Sequence, residues 1–257
     1  MKIEEQFETV TQIVLGKALS PLKDYAEYLI SNAPEGRIIE KKSVASGKTV
    51  YVASAKFFLA LGNRVVRADE ALALGAAGKI TEKEAEALTL SNAPKLLRGI
   101  STTTPEIIYS ENIDTLESCG YGPTQHCFRV GLVWFSKYVA YSYWIRTSEN
   151  IFGGSLLTDC SFCIRCYSST KLVRCFEVND SNNCADCYFC HNCEDLRDCM
   201  FCFNTKAKRY SIGNVEVGRE EYLKIKKLLQ GQMHSELERT KKLKYDIYNI
   251  GSRARSV

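Results

Sequence analysis

Small residues, many of them cysteine, recur along this chain with a period of twelve, and this repeat limits the fold more than any other feature. One column of residues twelve apart reads Cys127, Val139, Ile151, Cys163, Cys175, Cys187 and Cys199. A second column, three residues later, reads Val130, Ser142, Gly154, Cys166, Val178, Cys190 and Cys202. A third, three residues before the first, reads Thr124, Ser136, Ser148, Cys160, Leu172, Cys184 and Leu196. A fixed period of this kind is typical of a repeat architecture.

The repeat predicts a narrow β-solenoid in which each block of twelve residues forms one coil. Blocks follow without a gap from Thr124 to Ala207, and an earlier block from Ser110 falls out of phase by two residues. Stacked coils lie about 4.8 Å apart, and a coil this short encloses only small side chains. Cysteine behaves there as a small, readily buried hydrophobe. We therefore expect a structural ladder formed by Cys127, Cys163, Cys175, Cys187, Cys199, Cys166, Cys190 and Cys202.

The same cysteines also match metal-binding motifs. Cys184, Cys187, Cys190 and Cys193 form a Cys-x2-Cys-x2-Cys-x2-Cys run, a spacing that suits zinc. An iron–sulfur site is the lesser alternative, because the ferredoxin motif ends in a longer spacing followed by proline, whereas Glu194 follows here. Serine, valine and glycine replace cysteine within the columns, which packing explains and ligation does not. We expect a packed core without a cofactor, with zinc binding as the alternative.

The redox state of these thiols depends on the compartment. The first residues show no basic segment followed by an apolar run, so we expect no export signal. Thiols in such a chain are usually free or bound to metal. Cysteines stacked in one column would have nearly parallel Cβ bonds, which is poor disulfide geometry. In an oxidising setting, bridges across the interior between columns would form more readily.

Helical and hairpin patterns flank the repeat. Apolar spacing predicts helices within residues 1–32, a hairpin within 37–54 and one or two helices within 68–92, the last with a capping box of Thr81 and Glu84. A further helix is expected from Arg219 to about Tyr248. The expected fold is a small α+β (or α/β) domain at 1–98, a β-solenoid of about 12 residues per coil at 99–214, and a C-terminal capping helix with a basic tail at 215–257.

Two further groups of residues suggest surfaces. Five aromatic residues in two coils predict either an interaction surface or a contact with the amino-terminal domain: Trp134, Tyr138, Tyr141, Tyr143 and Trp144. Basic residues mark the C-terminal tail, where nucleic-acid binding is a weaker alternative to a solvated end: Lys241, Lys242, Lys244, Arg253 and Arg255. The net charge of +4 is too small to indicate nucleic acid by itself.

No convergent set of acid, base and nucleophile residues is evident in the sequence. His126 adjoins Cys127, but neighbouring strand residues point to opposite faces, so we do not expect a catalytic pair. No apolar stretch approaches the roughly 18 residues that a membrane span requires. We expect a non-enzyme located in the cytoplasm or within an assembled particle. An enzyme with a site between the two domains is a further alternative.

Three sequence features carry a resemblance to known repeat proteins. They are Ser148-Glu149-Asn150-Ile151-Phe152-Gly153, the Cys-x2-Cys runs, and Lys208-Arg209-Tyr210-Ser211-Ile212-Gly213-Asn214 followed by Glu220-Glu221-Tyr222. In these features about a third of the chain resembles uncharacterised, cysteine-rich β-helical repeat proteins of environmental microbes. Those proteins carry Lys-Glu-Glu-Tyr where this chain has Arg219 before Glu220. The resemblance implies the solenoid fold and no function.

These observations favour a non-catalytic structural protein. A solenoid offers strand edges at its ends and, in this chain, aromatic coils along its sides, and both suit self-association. We expect a homo-oligomeric scaffold or a repeated component of a large particle, such as a virion. A zinc-binding module is the alternative function.

Overall fold

The predicted fold class is confirmed by a computed structural model, which describes residues 2–252. It contains a β-solenoid of about nine turns with about 12 residues per turn, an N-terminal region of helices and a small sheet, and a long C-terminal helix. Arg253 and Arg255 of the expected basic tail lie outside the described residues.

Short parallel strands form the solenoid. They are β3 Ile107–Ile108, β4 Asn112–Ile113, β5 Gly120–Gln125, β6 Gly131–Ala140, β7 Tyr143–Arg146, β8 Glu149–Phe152, β9 Ser155–Thr158, β10 Ser161–Ile164, β11 Tyr167–Thr170, β12 Phe176–Asn179, β13 Ala185–Glu194, β14 Arg197–Met200, β15 Phe203–Lys206 and β16 Arg209–Ile212, closed by the antiparallel β17 Val215–Glu216. Partners lie twelve residues apart, as Cys187 and Cys199 do. Each block position is therefore stacked on the same position of the next coil.

Left-handed backbone at every third residue gives the coil four corners. From His126 to Gly213, every third residue has a positive φ, between 47° and 72°. Twelve residues at three per side give four short sides, each with one residue directed inward. This conformation is unfavourable for most residues but is tolerated by Asn and Asp, which fill several corners, including Asn183 and Asp195. The corners explain how inward positions can recur every three residues rather than every two.

The interior contains four inner columns, one more than the sequence predicted. The three predicted columns are buried in one hydrophobic cluster. The fourth column, at block position ten, consists of Val133, Ile145, Leu157, Ser169, Ser181 and Cys193, all buried. Cys193 therefore belongs to the core of the solenoid.

The expected phase shift of the first block is wrong. Asn112 pairs with Thr124 and Leu116 with Phe128, both at the regular distance of twelve residues. The additional residue lies earlier, where Ile107 pairs with Gly120. A Cβ atom on Gly122 would lie 2.3 Å from the carbonyl oxygen of Tyr109, so glycine permits this close approach of the preceding turn.

Helices cover one flank of the solenoid. They are α1 Lys2–Leu15, α2 Ala26–Ile30 and, from the other terminus, α7 Arg219–Thr240. Beneath them lie the outward residues of the fifth block position, whose direction the sequence did not assign: Phe152, Ile164, Phe176, Tyr188 and Met200. In the first turn of α7, Tyr222 lies beside Tyr210 of β16, and the helix continues along the flank to α1. It ends at Thr240, because Lys241 has a left-handed conformation, so the expected end near Tyr248 is wrong. These helices and the fifth-position column form a second hydrophobic core.

The remaining N-terminal elements pack near the first coils. The predicted hairpin is present as β1 Ile38–Lys42 and β2 Thr49–Ala53. It shares a third core with Leu132 and Tyr143 of the solenoid. The short helices α3 Lys56–Leu59, α4 Ala68–Ala77, α5 Glu82–Glu86 and α6 Ala93–Leu96 follow. The capping box of Thr81 and Glu84 is confirmed at the start of α5.

Candidate functional site

Eleven of the twelve cysteines lie in the core inside the solenoid, and Cys119 lies in the hairpin core. All twelve are free and buried. The four cysteines of the predicted metal motif, Cys184, Cys187, Cys190 and Cys193, occupy the four inner columns of one coil, so one thiol faces inward from each side. Among residues 2–252, however, no group of three or more His, Cys, Asp or Glu side chains is arranged to hold a metal ion. Zinc binding by these four residues stays a prediction.

Each inward thiol also takes part in the hydrogen bonding of the coil. The Cys187 thiol donates to the carbonyl oxygen of Ala185 at 3.3 Å. Inward serines act in the same way: the Ser142 hydroxyl donates to the Ala140 carbonyl at 2.8 Å and accepts the Gly154 amide at 3.0 Å. A small side chain with a donor hydrogen thus satisfies backbone groups at the corners. This shared role explains why serine and cysteine exchange within a column.

Neighbouring thiols form a continuous network. Cys187 lies beside Cys175 and Cys199 of the adjacent coils and beside Cys184 and Cys190 of its own. Burial raises the pKa of the Cys127 and Cys160 thiols to about 12. Thiols with such pKa values remain protonated near neutral pH, and a protonated thiol is a poor nucleophile. Cys127 and Cys160 are therefore poor nucleophiles, whereas hydrogen bonds with Cys190 and Cys199 lower the pKa of the Cys202 thiol.

The predicted aromatic surface is largely covered by the chain itself. Tyr141 and Tyr143 are buried in the flank and hairpin cores. Trp134 and Tyr138 are half-buried, Trp134 against the hairpin core and Tyr138 against the flank core. Trp144 alone of the five is exposed, at 47%. Four of the five side chains thus pack against the N-terminal region or the flank. Contact with the amino-terminal domain was the second of the two interpretations that the sequence allowed.

Each of the three histidines contacts polar or aromatic groups of the fold. His126 stacks on Tyr138, with ring centroids 5.3 Å apart, and its Nδ1 lies 3.2 Å from Asp114, whereas Cys127 faces the core. His191 lies in an outward position, with its Nδ1 3.1 Å from the side-chain nitrogen of Asn179. His234 is buried on α7 beside the carbonyl of Ala18.

A buried ion pair under the helices was not predicted from the sequence. Arg165 and Glu177 occupy the same corner of adjacent coils, and their side chains are 1% and 0% exposed. The Arg165 guanidinium also donates to the Tyr28 carbonyl and to the Ser31 hydroxyl, and lies 4.1 Å from the centre of the Tyr28 ring. Glu177 accepts the Ile247 amide at 3.1 Å. This pair thus joins the solenoid, α2 and the C-terminal segment.

The electrostatics of the pair reflect burial and mutual contact. Burial raises the pKa of Glu177, and Arg165 only partly offsets this effect. Burial acts to lower the pKa of Arg165, but the neighbouring Glu177, Tyr167 and Tyr28 together outweigh this effect and raise the pKa. The sequence could have indicated this ion pair, because Arg165 and Glu177 are opposite charges twelve residues apart. Arg174 and Asp186 have the same spacing and form a hydrogen-bonded pair on the surface.

The two ends of the solenoid differ. Within residues 2–252, β3 and β4 at the N-terminal end pair with β5 on one side only, and Ile107, Ile108, Ile113 and Leu116 are exposed. At the C-terminal end, β17 folds back on β16. The side chain of Asn214 accepts a hydrogen bond from the backbone N–H of Phe203 and donates one to its carbonyl, at 2.9 Å each. A neighbouring strand would make the same two hydrogen bonds. In the part of the chain that the structure describes, side chains and a returning strand close the C-terminal end, whereas the N-terminal end is open.

The basic C-terminal segment packs partly against the protein. The Lys241 ammonium lies 4.9 Å from the centre of the Tyr25 ring. Tyr248 packs beside Tyr167, and Lys242 and Lys244 are exposed. Of the basic residues in the described segment, two therefore remain on the surface near α7.

A shallow groove of about 680 Å³ runs over the outer face of four coils. It is lined by polar side chains that include Ser168, Thr170, Asp180, Asn192 and Lys206. Several of these side chains bond one another along the stack, as Asn192 does with Asn204 at 2.9 Å. The groove lies entirely on the solenoid and not between the solenoid and residues 1–98.

Comparison with known proteins identifies no relative of this chain. No protein family, no curated protein and no solved structure matches it. Within residues 2–252, none of the helices combines the length and apolar character that crossing a membrane requires.

Proposed function

We propose that this protein is a non-catalytic structural scaffold that self-associates through the open N-terminal end of its solenoid. The asymmetry of the two ends carries the proposal. Unpaired strand edges are templates for pairing with another chain, and proteins that remain monomeric usually cover them. Here the C-terminal end is covered and the N-terminal end is not.

The exposed groups at the N-terminal end suit a second copy of the same end. Ile113 is 52% exposed, and Ile107, Ile108 and Leu116 lie exposed beside it. Two of the acidic residues of these turns are paired, Asp114 with His126 and Glu117 with Arg129, and Glu111 is exposed beside Ile113. Contact between two such ends would be isologous and would close as a two-fold dimer. The rigid solenoids would then project in opposite directions from the contact.

Size measurement in solution tests this proposal. Light scattering and sedimentation should give a dimer whose dissociation depends on concentration. Ile113→Lys places a charge in the contact and should give a monomer, whereas Val215→Lys, at a position 62% exposed at the closed end, should leave the dimer intact. A wild-type monomer at high concentration, or an unchanged dimer for Ile113→Lys, would rule out the N-terminal contact.

Assembly into a larger particle, viral or otherwise, would require a second contact in addition to the end. Phe135, Trp144 and Leu156 are exposed on the outer corners of the coils and could supply it. The alternative function, zinc binding by the Cys184–Cys193 run, predicts about one zinc ion per chain in protein purified without chelator. Elemental mass spectrometry distinguishes the two, because the scaffold needs no metal.

A further inference from the structure

The stacking of inward cysteines places thiols in register along the solenoid. Cys187 and Cys199 are direct partners in adjacent strands. Cys175 lies beside both Cys163 and Cys187, and Cys190 lies beside Cys202. We propose that these stacked thiols bind soft, two-coordinate d10 metal ions, each ion bridging two cysteines of adjacent coils. The inference goes beyond the scaffold function and does not depend on self-association.

The spacing of the coils fits a linear bridge. Adjacent parallel strands are about 4.8 Å apart, and column neighbours project from them in the same direction. Two metal–sulfur bonds of about 2.3 Å span about 4.6 Å between sulfur atoms when they are collinear. An ion between two stacked thiolates therefore needs little movement of the backbone. A tetrahedral site would need four sulfurs to converge, and the described residues hold no such group.

Charge balance in the core selects the class of ion. Cysteine and aliphatic residues form the cluster around these thiols, and buried serines fill other inward positions; none of these described residues carries a charge. Binding breaks two S–H bonds, forms two metal–sulfur bonds and releases two protons to solvent, with no change of oxidation state. For a divalent ion the bis-thiolate is neutral, whereas zinc held by four thiolates would carry two negative charges in an apolar core. Soft thiolate ligands in turn prefer soft ions.

The columns fix the number of sites. Independent stacked pairs are Cys163 with Cys175, Cys187 with Cys199, and Cys190 with Cys202, which gives about three ions per chain. The other inward cysteines lack a cysteine above or below them in their column. Cys127 is followed by Val139, and Cys160 lies between Ser148 and Leu172. These two residues supply a matched control.

The test uses the full chain and Hg²⁺ as the probe. The folded protein is incubated overnight with Hg²⁺ and an excess of glutathione, which removes ions held at the surface, and native mass spectrometry then counts the ions retained. We expect about three ions per chain and two protons lost per ion. X-ray absorption should give two sulfur neighbours per mercury, and circular dichroism should remain that of the folded solenoid.

Paired variants locate the sites. Cys175→Val with Cys199→Val should reduce the retained mercury to about one ion, because only the Cys190–Cys202 pair keeps its partner. Cys127→Val with Cys160→Ser should retain the wild-type number. Valine and serine occupy the same columns naturally, so both variants should fold. Retention of no ion, four sulfur neighbours per ion, equal counts in the two variants, or binding accompanied by loss of β-structure would each overturn the proposal.

Discussion

Two requirements act on the inward residues of this solenoid: small volume and a donor hydrogen for the backbone carbonyls. Cysteine satisfies both, because it packs as a hydrophobe and its thiol reaches a carbonyl two residues earlier, at 3.3 Å for Cys187. Serine makes the stronger hydrogen bond at the same positions, as Ser142 does. Valine and leucine fill the volume and donate nothing. The mixture of these residues in each column therefore reflects a balance between burying apolar volume and donating hydrogen bonds to backbone carbonyls.

Burial of the thiols predicts sensitivity to alkali. The pKa of Cys127 and that of Cys160 rise from 9.0 to about 12 on folding. A raised pKa gives stability that is complete below the unfolded value and is lost as pH increases towards the folded value. Each such thiol should reduce the unfolding free energy by about 1.4 kcal/mol per pH unit between about pH 9 and 12.

Denaturant unfolding across this pH range measures the effect. The variant Cys127→Val with Cys160→Ser should show a slope smaller by about 2.7 kcal/mol per pH unit than the wild type, because two titrating groups are removed. Both proteins should have similar slopes below about pH 8, where free thiols remain protonated. Identical slopes above pH 9 would show that these thiols do not ionise with unfolding.

At the scale of elements, the flank helices are attached to the solenoid by apolar packing and by one ionic link. Arg165 holds α2 through the Tyr28 carbonyl and the Ser31 hydroxyl, and Glu177 holds the C-terminal segment through the Ile247 amide. Glycine adds a close contact, since a Cβ atom on Gly153 would lie 2.5 Å from the Leu29 carbonyl oxygen. Both termini are thereby positioned on the same coils.

Removing one partner of this ion pair should be costly. Arg165→Ala leaves the Glu177 carboxylate buried without its counter-charge and should lower the unfolding free energy by about 3–5 kcal/mol. Replacing both, by Arg165→Met with Glu177→Leu, should cost much less. Denaturant titration measures the differences. Arg174→Ala is the matched control, because Arg174 pairs with Asp186 across the same coil spacing but is 46% exposed, and it should cost less than about 1 kcal/mol. A double variant as unstable as Arg165→Ala would contradict this account.

For the molecule as a whole, the period predicted the solenoid, its coil length and three of its four inner columns. The fourth column was missed because it contains a single cysteine, Cys193, although Val133, Ile145 and Leu157 repeat at the same interval. The left-handed corners could not be read from composition, since Lys, Phe and Arg occupy them as well as Asn and Asp. The flank was missed because contact between α1 and α7 joins residues from opposite ends of the chain. Short-range pattern thus determined the coil, and long-range packing determined what covers it.

The coil also sets the unit by which the chain can be shortened. Deletion of the twelve residues from Leu196 to Ala207 keeps every later residue in its inward or outward position and moves the C-terminal end up by one coil. Helix α7 would then shift along the flank by about 4.8 Å, close to the 5.4 Å rise of one helical turn, so its apolar residues can seat again one turn away.

Deletion of eleven residues, Leu196 to Lys206, is the control for this shortening. It removes almost the same mass but moves every later side chain by one position in the coil, so Tyr210 would take the inward place of Cys199 and the charged Glu216 that of Thr205. The twelve-residue deletion should keep the circular dichroism of a β-protein, a lower but cooperative thermal transition, and thiols that do not react with a disulfide reagent under native conditions. The eleven-residue deletion should expose its thiols to the reagent. Equal behaviour of the two deletions would mean that the flank helices, and not the period of the coil, hold the last turns in register.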